Sequence, residues 1–234
     1  MQPNAYWELI ICCTNYVTSH FIQKLGIFLF WFQVFCALFS GSAQALKMLD
    51  STQGLTLSFF IFQIGFMLIN LGLSYDALTS ANTNRQMKFQ SIIVYLMWTI
   101  FSILHISIVL WKMPDLWRNI DTVSTSIVLL GLLLIFIYMK IKKFPVSAPY
   151  IRMSIAILLK SLPQLFLAGS IFLYGGSGVS GWWLLFGHFI IISRIGHLWI
   201  SNNQGWNINT RASLISEIWN EITWATATIV WLVV

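Results

Sequence analysis

The chain has 234 residues, of which 58% are hydrophobic and only 9% are charged, whereas a soluble domain carries about 25% charged residues. The mean hydropathy of +0.78 agrees, and the two values together exclude a water-soluble globule. The net charge of +6 would suggest a nucleic-acid partner in a soluble protein. No soluble segment interleaves basic with aromatic residues, so we expect cytoplasmic basic loops and no nucleic-acid partner.

The apolar stretches of the chain predict its helices. Residues 1–24 interrupt apolar positions with polar ones such as Glu8 and Asn15, which favours an interfacial helix over a span. Seven later stretches are long enough to cross a bilayer as helices. They are Leu25–Leu46, Leu55–Tyr75, Phe89–Trp111, Val123–Met139, Tyr150–Tyr174, Val179–Ile200 and Leu214–Val234. The sequence therefore predicts an all-α, integral, multi-pass membrane protein.

The fifth stretch carries polar residues at its centre. Pro163 has no N–H to donate to the carbonyl of Leu159, so we expect a kink there and a free carbonyl. Gln164 follows directly, and Lys160 lies one turn earlier on the same helix face. A lysine near the bilayer centre costs a few kcal/mol on insertion scales. This stretch is therefore predicted to face a polar interior.

Matching residues recur in the two halves of the chain at a slowly growing offset. Ala43-Gln44 corresponds to Pro163-Gln164, and Thr52-Gln53-Gly54-Leu55-Thr56 corresponds to Gly176-Ser177-Gly178-Val179-Ser180. Asn70 then matches Arg194, and Trp98 matches Trp224. Such ordered matches indicate an internal repeat, a common feature of transporters.

The repeat divides the chain into four parts. An interfacial segment (1–24) precedes the first triple-helix repeat (25–111), a linker helix that forms span four (112–145), and the second triple-helix repeat (146–234). Because the linker is a single span, both triplets enter the membrane from the same side, so the repeats are predicted to be parallel. The predicted architecture is seven transmembrane helices in a 3+1+3 arrangement.

Ser161-Leu162-Pro163-Gln164, with the later Gly178-Val179-Ser180 turn, resembles the PQ-loop motif of the superfamily that holds the SWEET sugar transporters and the lysosomal cystine transporter. The 3+1+3 layout of residues 25–234 fits the same family. The resemblance implies facilitative or proton-coupled movement of a small polar solute by alternating access. It also implies hinge roles for Gln44, Pro163 and Gln164. Ala43 stands where the motif has proline, so the first repeat should bend less.

Polar and aromatic residues form one stripe on each of two spans. Span three carries Ser91, Tyr95, Trp98, Ser102 and His105, and span seven carries Glu217, Glu221, Trp224, Thr228 and Trp231 at the matching spacing. Packing between neighbouring helices is the alternative interpretation, which we prefer for Trp231. A carboxylate two turns into a span is costly unless it pairs with a cation or is hydrated, so we expect Glu221 to line a cavity. Glu217 is shallower, so a position at the membrane interface remains open for it.

The depth of each charged residue below the membrane surface predicts which of them can pair. Arg194 lies near the end of span six and Glu221 near the start of span seven, so both should lie roughly 10 Å below the same face and form a pair. A structural bridge and a substrate-binding role both remain open for that pair. Asn70 lies at a comparable depth, and Lys160 lies near the midplane. The predicted substrate-binding residues are Asn70, Tyr95, Trp98, Lys160, Arg194, Glu221 and Trp224.

Other kinds of site are not expected. His105, His188 and His197 lack the spacing and company of a metal site, and the three cysteines offer neither metal spacing nor a disulfide framework. No cofactor is predicted. The sequence holds no nucleophile–base constellation and no glycine-rich phosphate loop, so we do not expect an enzyme.

The resulting hypothesis is a transporter of a small polar solute (amino-acid-like, anionic or sugar-like), bound between the two repeats. Lys160 and Arg194 give the predicted cavity two cations against the single carboxylate of Glu221, and this balance suits a zwitterion or an anion better than a plain sugar. One alternative is a membrane receptor without transport, similar to the KDEL receptors. Another is a transporter of nicotinamide riboside or a similar vitamin precursor. The sequence does not identify the coupling ion, and coupling to protons is one possibility. A homo-oligomeric state is also left open.

The distribution of basic residues predicts the orientation. One side of the membrane would collect Lys24, Arg85, Lys88, Lys140, Lys142, Lys143, Arg152 and Arg211, and the other Lys47, Lys112 and Arg118. Basic residues in short loops favour the cytoplasm, which predicts a cytoplasmic N-terminus.

Overall fold

The computed structural model describes the backbone of residues 3–79, 85–112, 117–200 and 208–234, and the side chains of residues 24–75, 89–112, 117–199 and 208–234. Every regular element in these ranges is helical, which confirms the predicted all-α class. The elements are α1 (Pro3–Asp50), α2 (Leu57–Thr79), α3 (Arg85–Lys112), α4 (Asn119–Lys142), α5 (Pro149–Ala156), a π-helical turn (Ile157–Ser161), α6 (Leu162–Tyr174), α7 (Gly181–Ile200) and α8 (Ile208–Val233).

Five helical segments within the described ranges are long and apolar enough to cross a membrane. They are Lys24–Asp50, Leu57–Tyr75, Phe89–Lys112, Asn119–Lys142 and Pro149–Tyr174. These segments support the predicted integral, multi-pass membrane protein. Helices α7 and α8, which correspond to the predicted sixth and seventh spans, are not among these segments. Both carry polar side chains: α7 carries His188, Arg194 and His197, and α8 carries Glu217 and Glu221.

The distribution of exposed and buried side chains suits a lipid environment. Large apolar residues such as Phe28, Trp31 and Leu134 are exposed, whereas Gln44 and Glu217 are buried. A water-soluble protein shows the opposite tendency for such charged and amide side chains. The described bundle therefore presents apolar surface outward and keeps polar groups inside.

Helix α1 continues across the predicted boundary between residues 24 and 25. Its 48 residues span about 72 Å at 1.5 Å per residue, more than twice the roughly 30 Å hydrocarbon core of a bilayer. The side chains before Lys24 lie outside the described set, so the interfacial role of residues 1–24 stays a prediction. The membrane-length segment of this helix runs from Lys24 to Asp50, four residues beyond the predicted end.

The helices pack in two comparable groups. The first group is α1, α2 and α3, and the second is the α5–α6 pair with its π turn, α7 and α8. Helix α3 packs against both α1 and α2, and α8 packs against both α7 and the α5–α6 pair. Between the groups, α1 packs along α7, while α2 packs against the π turn and α6. In each of these contacts, the first helix of one group meets the second helix of the other.

Helix α4 is attached to the first group by a buried carboxylate. Asp121 is fully buried, and its Oδ1 accepts a hydrogen bond from the backbone N–H of Ser58 at 2.8 Å. Its Oδ2 accepts from the backbone N–H of Arg118 at 3.1 Å. Asp121 thus satisfies free N–H groups at the start of α2 as well as α4, which fixes both helix starts relative to each other.

The predicted break at Pro163 takes the form of a π turn just before it. The Leu162 N–H donates to the carbonyl of Ile157, five residues back, and Pro163 stands in the first turn of α6. A missing N–H is tolerated in a first turn, and an inserted π turn is a common way to interrupt a helix. The irregular backbone therefore includes Lys160 itself. The free carbonyl of Leu159 stays a prediction.

Candidate functional site

A cavity lies at the centre of the bundle, between the two groups of helices. Its empty space is about 710 Å³, its open mouth included. The lining residues come from α2, α3, the π turn, α6, α7 and α8. They are Phe59, Gln63, Phe66, Met67, Val94, Tyr95, Trp98, Lys160, Gln164, Trp183, Gly187, Ile190, Ile191, Arg194, Glu217, Asn220 and Trp224.

Glu217 is the electrostatic centre of this cavity. Its side chain is only 5% exposed, its Oε2 lies 2.8 Å from Lys160 Nζ, and its Oε1 lies 2.9 Å from Arg194 Nε. A buried carboxylate is tolerated when both of its oxygens bind cations or donors. Two cations share one carboxylate here, so the three side chains together carry a net charge of +1.

The predicted Arg194–Glu221 pair is wrong, because Arg194 pairs with Glu217 instead. The prediction started the last helix at Leu214, whereas α8 begins at Ile208. Because α8 starts six residues earlier, each of its residues lies about 9 Å further from the start of the helix than predicted, at 1.5 Å per residue. Glu217 is therefore buried inside the bundle, where its carboxylate can reach Arg194.

Tyr95 and Phe66 complete the surroundings of the charged group. Arg194 Nη2 donates to Tyr95 Oη at 2.7 Å, which positions the guanidinium from α3. Lys160 Nζ lies 5.6 Å from the centroid of the Phe66 ring, within the range of a cation–π contact. The structure thus brings the predicted residues Tyr95, Lys160 and Arg194 together around Glu217.

Aromatic side chains form one wall of the cavity. Trp183 and Trp224 meet edge to face with their ring centroids 4.9 Å apart, and Trp224 Nε1 donates to the carbonyl of Leu184 at 2.9 Å. Gly187 allows this close approach, since a Cβ there would lie 2.3 Å from Trp224 Nε1. Trp98 lines the same space. The sequence predicted Trp98 and Trp224, but gave no signal for Trp183.

The two motif glutamines have different partners. Gln164 Nε2 donates to Asn220 Oδ1 at 2.8 Å, and its Oε1 accepts from the Thr223 hydroxyl at 2.5 Å. Gln44 is fully buried and bonds the backbone before α7, donating to Gly178 O and accepting from Ser180 N. Gln164 therefore ties α6 to α8, whereas Gln44 ties α1 to the second half of the chain.

A second cavity, with about 450 Å³ of empty space including its open mouth, continues from the first toward the starts of α5 and α8. The two share Phe66, Tyr95, Arg194 and Glu217. Its other lining residues are Asn70, Pro149, Arg152, Met153, Ala156, Asn209, Ala212, Ser213 and Ser216. The starts of α5 and α8 lie at one face of the bundle, so this space leads from the charged centre toward that face.

At the opposite face, two interhelical loops are bonded to each other. The Gly178 N–H donates to the Gln53 carbonyl at 3.0 Å, and the hydroxyls of Ser51 and Ser177 lie 2.9 Å apart. Gln53 also donates through Nε2 to the carbonyl of Tyr174. These loops occupy matching positions in the predicted repeats. Their bonds join the two groups of helices at this face.

Glu221 does not join the charged group. Its Oε1 lies 2.6 Å from His188 Nδ1, and His188 Nε2 lies 2.9 Å from the Thr228 hydroxyl oxygen. Neither Glu221 nor His188 is among the residues that line the described cavities. The stripe predicted on span seven is therefore divided between two clusters, because α8 packs against α6 on one side and α7 on another.

The remaining histidines have separate environments. His105 is buried, and its Nε2 lies 3.0 Å from the carbonyl of Gly41. His197 lines a third cavity with Tyr95 and Arg194. Among the side chains that the structure describes, no three His, Cys, Asp or Glu groups converge on a point where a metal ion would bind.

Family models, curated proteins and solved structures were compared with this chain, and none of them matches it.

Proposed function

We propose that this chain is a membrane transporter that moves a small, carboxylate-bearing solute by alternating access between two three-helix groups. The observation that carries the proposal is the charged group Lys160–Glu217–Arg194, held in a cavity between the two groups of helices. Charges inside a membrane bundle are costly and mark substrate pathways. Lys160 lies about 17 Å along its helix from Pro149 and about 21 Å from Tyr174, which suits a position near the midplane.

The helix contacts support a 3+1+3 arrangement with parallel repeats. On this proposal, α1–α3 form the first repeat, α4 the linker, and α5 to α8 the second repeat. The third helix of each repeat packs against the other two, and the contacts of α1 with α7 and of α2 with α6 are equivalent under exchange of the repeats. The PQ-loop superfamily remains the proposed family on this layout and on the motif that ends in Gln164.

The charge balance favours an anionic or zwitterionic solute. Glu217 neutralises only one of its two cations, and Arg152 adds another positive charge along the second cavity. The Arg152 Nε is buried and has no described hydrogen-bond partner. A carboxylate would accept hydrogen bonds from such free donors, and guanidinium groups match its geometry.

The shape of the site adds a preference for an apolar or ring-bearing body. Trp98, Trp183 and Trp224 offer flat surfaces next to the charged group, and such surfaces bind rings and aliphatic bodies. A nicotinamide riboside carries a positive ring, which the net positive cavity would repel. That alternative is therefore less favoured than a carboxylate such as an amino acid.

The bonded loops at one face and the second cavity toward the other suit a state open to one side only. With the N-terminus in the cytoplasm, as the basic loops predict, the open side faces the cytoplasm. Alternating access would then require the Gln53–Gly178 contact to break while the opposite side closes.

Reconstitution tests the proposal. The purified protein in liposomes is given radiolabelled amino acids and aromatic carboxylates, with neutral sugars as controls, and solutes that raise its melting temperature are chosen first. Saturable uptake of a carboxylate, lost in Arg194→Gln, is expected. Ligand-induced stabilisation without any flux would favour the receptor alternative, since the same cations could hold a peptide carboxylate.

A further inference from the structure

The second cavity contains a cation that the charged group Lys160–Glu217–Arg194 leaves without a counterion. Arg152, on α5, lines this cavity, and no described ion pair includes it. Its Nε is buried without a described hydrogen-bond partner. A guanidinium stays charged in a protein, and a buried donor without an acceptor costs free energy. Arg152 is therefore able to bind an anionic group in the cavity.

The chain supplies no carboxylate for Arg152 among the described residues that line the two connected cavities. Glu217 is the one carboxylate there, and its two oxygens bind Lys160 and Arg194. The sequence has no Asp or Glu between Asp121 and Glu217, so α5, the π turn, α6 and α7 cannot contribute another. Three cations against one carboxylate give the two cavities a net charge of +2. One solute carboxylate neutralises only half of that charge.

The α5 lining of the second cavity is apolar between Arg152 and Lys160. Arg152 precedes Lys160 by eight residues, on the order of 10 Å along the helix axis. Met153 and Ala156 line the cavity within that interval, and the α8 lining is more polar, with Ser213 and Ser216. Arg194 lines both cavities. Anionic groups on Arg152 and on Arg194 would therefore lie in one small space, separated by a short, partly apolar body.

The third cavity provides an internal comparison. It is the counterpart of the second under exchange of the proposed repeats, because α1, α3 and α7 take the places of α5, α8 and α2. Among its described lining residues, the shared Arg194 is the only Lys or Arg. At the offset that relates Ala43 to Pro163, Arg152 corresponds to Phe32. The extra cation therefore belongs to the second cavity alone and is not required by the repeated architecture.

We propose that the transported solute is a dicarboxylate, with one carboxylate on Lys160 and Arg194 and the other on Arg152. The choice of a dicarboxylate rests on the proposed function, whose solute it specifies. Both inner cations keep donors beyond those that their described bonds use. Two carboxylates neutralise the net charge of +2 in the connected cavities, and guanidinium groups match carboxylate geometry. The three tryptophans line only the first cavity, so they contact the part of the solute nearest the inner carboxylate.

Calorimetry with the full chain in lipid nanodiscs tests the second carboxylate. The probes are straight-chain dicarboxylates from succinate to suberate, each compared with the monocarboxylate of the same carbon number. The best dicarboxylate should bind at least about tenfold more tightly than its monocarboxylate, as expected for an added hydrogen bond between charged groups. Equal dissociation constants for every pair of probes overturn the dicarboxylate class.

Variants test the assignment of the second carboxylate to Arg152. In Arg152→Gln the ratio of the two dissociation constants should fall from at least about tenfold to near one, and Arg152→Lys should restore part of it. Arg194→Gln should weaken the binding of both probes, because they share the inner cations. Arg211→Gln is the matched control and should keep the wild-type ratio, since Arg211 is exposed near the start of α8 and lines none of the described cavities. A ratio that survives Arg152→Gln overturns the assignment.

Uptake into proteoliposomes separates two kinds of failure. If wild-type protein neither binds nor moves any member of either probe class, the proposed function and the dicarboxylate class fail together. If monocarboxylates are bound and moved as well as dicarboxylates, the proposed function stands and the dicarboxylate class fails. Melting temperatures show whether Arg152→Gln folds, and the wild-type comparison and Arg152→Lys decide the outcome if it does not.

Discussion

Glu217 Oε2 and Lys160 Nζ lie 2.8 Å apart, across the junction between α8 and the π turn. The same carboxylate binds Arg194 through its other oxygen. One anion therefore connects the irregular backbone of the α5–α6 segment to α7, so a change in the π turn would alter the charge balance of the whole cavity.

Removal of the Glu217 carboxylate alone should destabilise the protein more than removal of both the Glu217 and the Lys160 charges. Glu217→Gln leaves two cations together in a buried site, and we expect a loss of about 3–5 kcal/mol of stability. Lys160→Met combined with Glu217→Gln should recover most of that loss. The melting temperatures of the purified variants measure both effects, with Lys140→Met, an exposed lysine beside Phe136, as control. A double variant as unstable as Glu217→Gln would contradict this account.

The tyrosine that positions Arg194 should influence affinity for carboxylates. Tyr95→Phe removes the 2.7 Å bond to the guanidinium, and loss of a hydrogen bond to a charged group costs roughly 1.5–3 kcal/mol. We expect the Kd for a carboxylate solute to rise at least about tenfold, with little change for a neutral one. Calorimetry of both ligands is the measurement. Tyr138→Phe, on the exposed surface of α4, is the matched control, and an equal loss for both ligands would argue against a charge-specific role.

The glycines of the bonded loops should keep one face closed. Gly54 has a φ of +82°, and a Cβ there would lie 2.1 Å from the carbonyl oxygen of Gly175. Gly54→Ala should separate the loops and increase thiol labelling of Ser51→Cys in a cysteine-free background. Gly65→Ala is the control, because nothing lies within 4 Å of its added Cβ. Labelling rates that are the same in both variants would show that the loops do not close this face.

Pro163→Ala should slow turnover more than it weakens binding. Restoring an N–H favours a regular helix over the π turn, and an added cost of about 1.4 kcal/mol for bending would slow exchange about tenfold. Exchange rates and ligand-induced melting shifts separate the two effects. Pro149→Ala is the control, since Pro149 begins α5, where the missing N–H is tolerated. Ala43→Pro should have the reciprocal effect and loosen the first repeat. Normal exchange with weakened binding in Pro163→Ala would exclude the hinge role.

The orientation follows from the basic loops alone. We expect Asn82→Cys to be labelled only from the cytoplasmic side and Asn119→Cys only from the opposite side. Residue 82 lies outside the described residues, so this prediction depends on the sequence. A membrane-impermeant thiol reagent applied to intact cells and to inverted vesicles is the measurement. Labelling of Asn82→Cys on intact cells would reverse the assignment.

The sequence by itself determined the helical class, five of the seven predicted membrane-length segments and several polar residues of the interior, Tyr95, Lys160 and Arg194 among them. These follow from local hydropathy and helical spacing, because a charge within an apolar stretch needs a polar environment wherever the helix packs. The position of the irregular backbone near Pro163 was also within reach, since a missing N–H is a local property.

Only the tertiary structure decided which charges meet. Whether Glu217 or Glu221 reaches Arg194 depends on where α8 begins and how it turns between α6 and α7, and a few residues of shift change the partner. The bonds of Gln44 with Gly178 and Ser180, and of Glu221 with His188, join residues far apart along the chain or on different helices. Such contacts are set by the packing of whole helices, because periodicity gives the face of a residue but not the depth or the identity of the neighbour it meets.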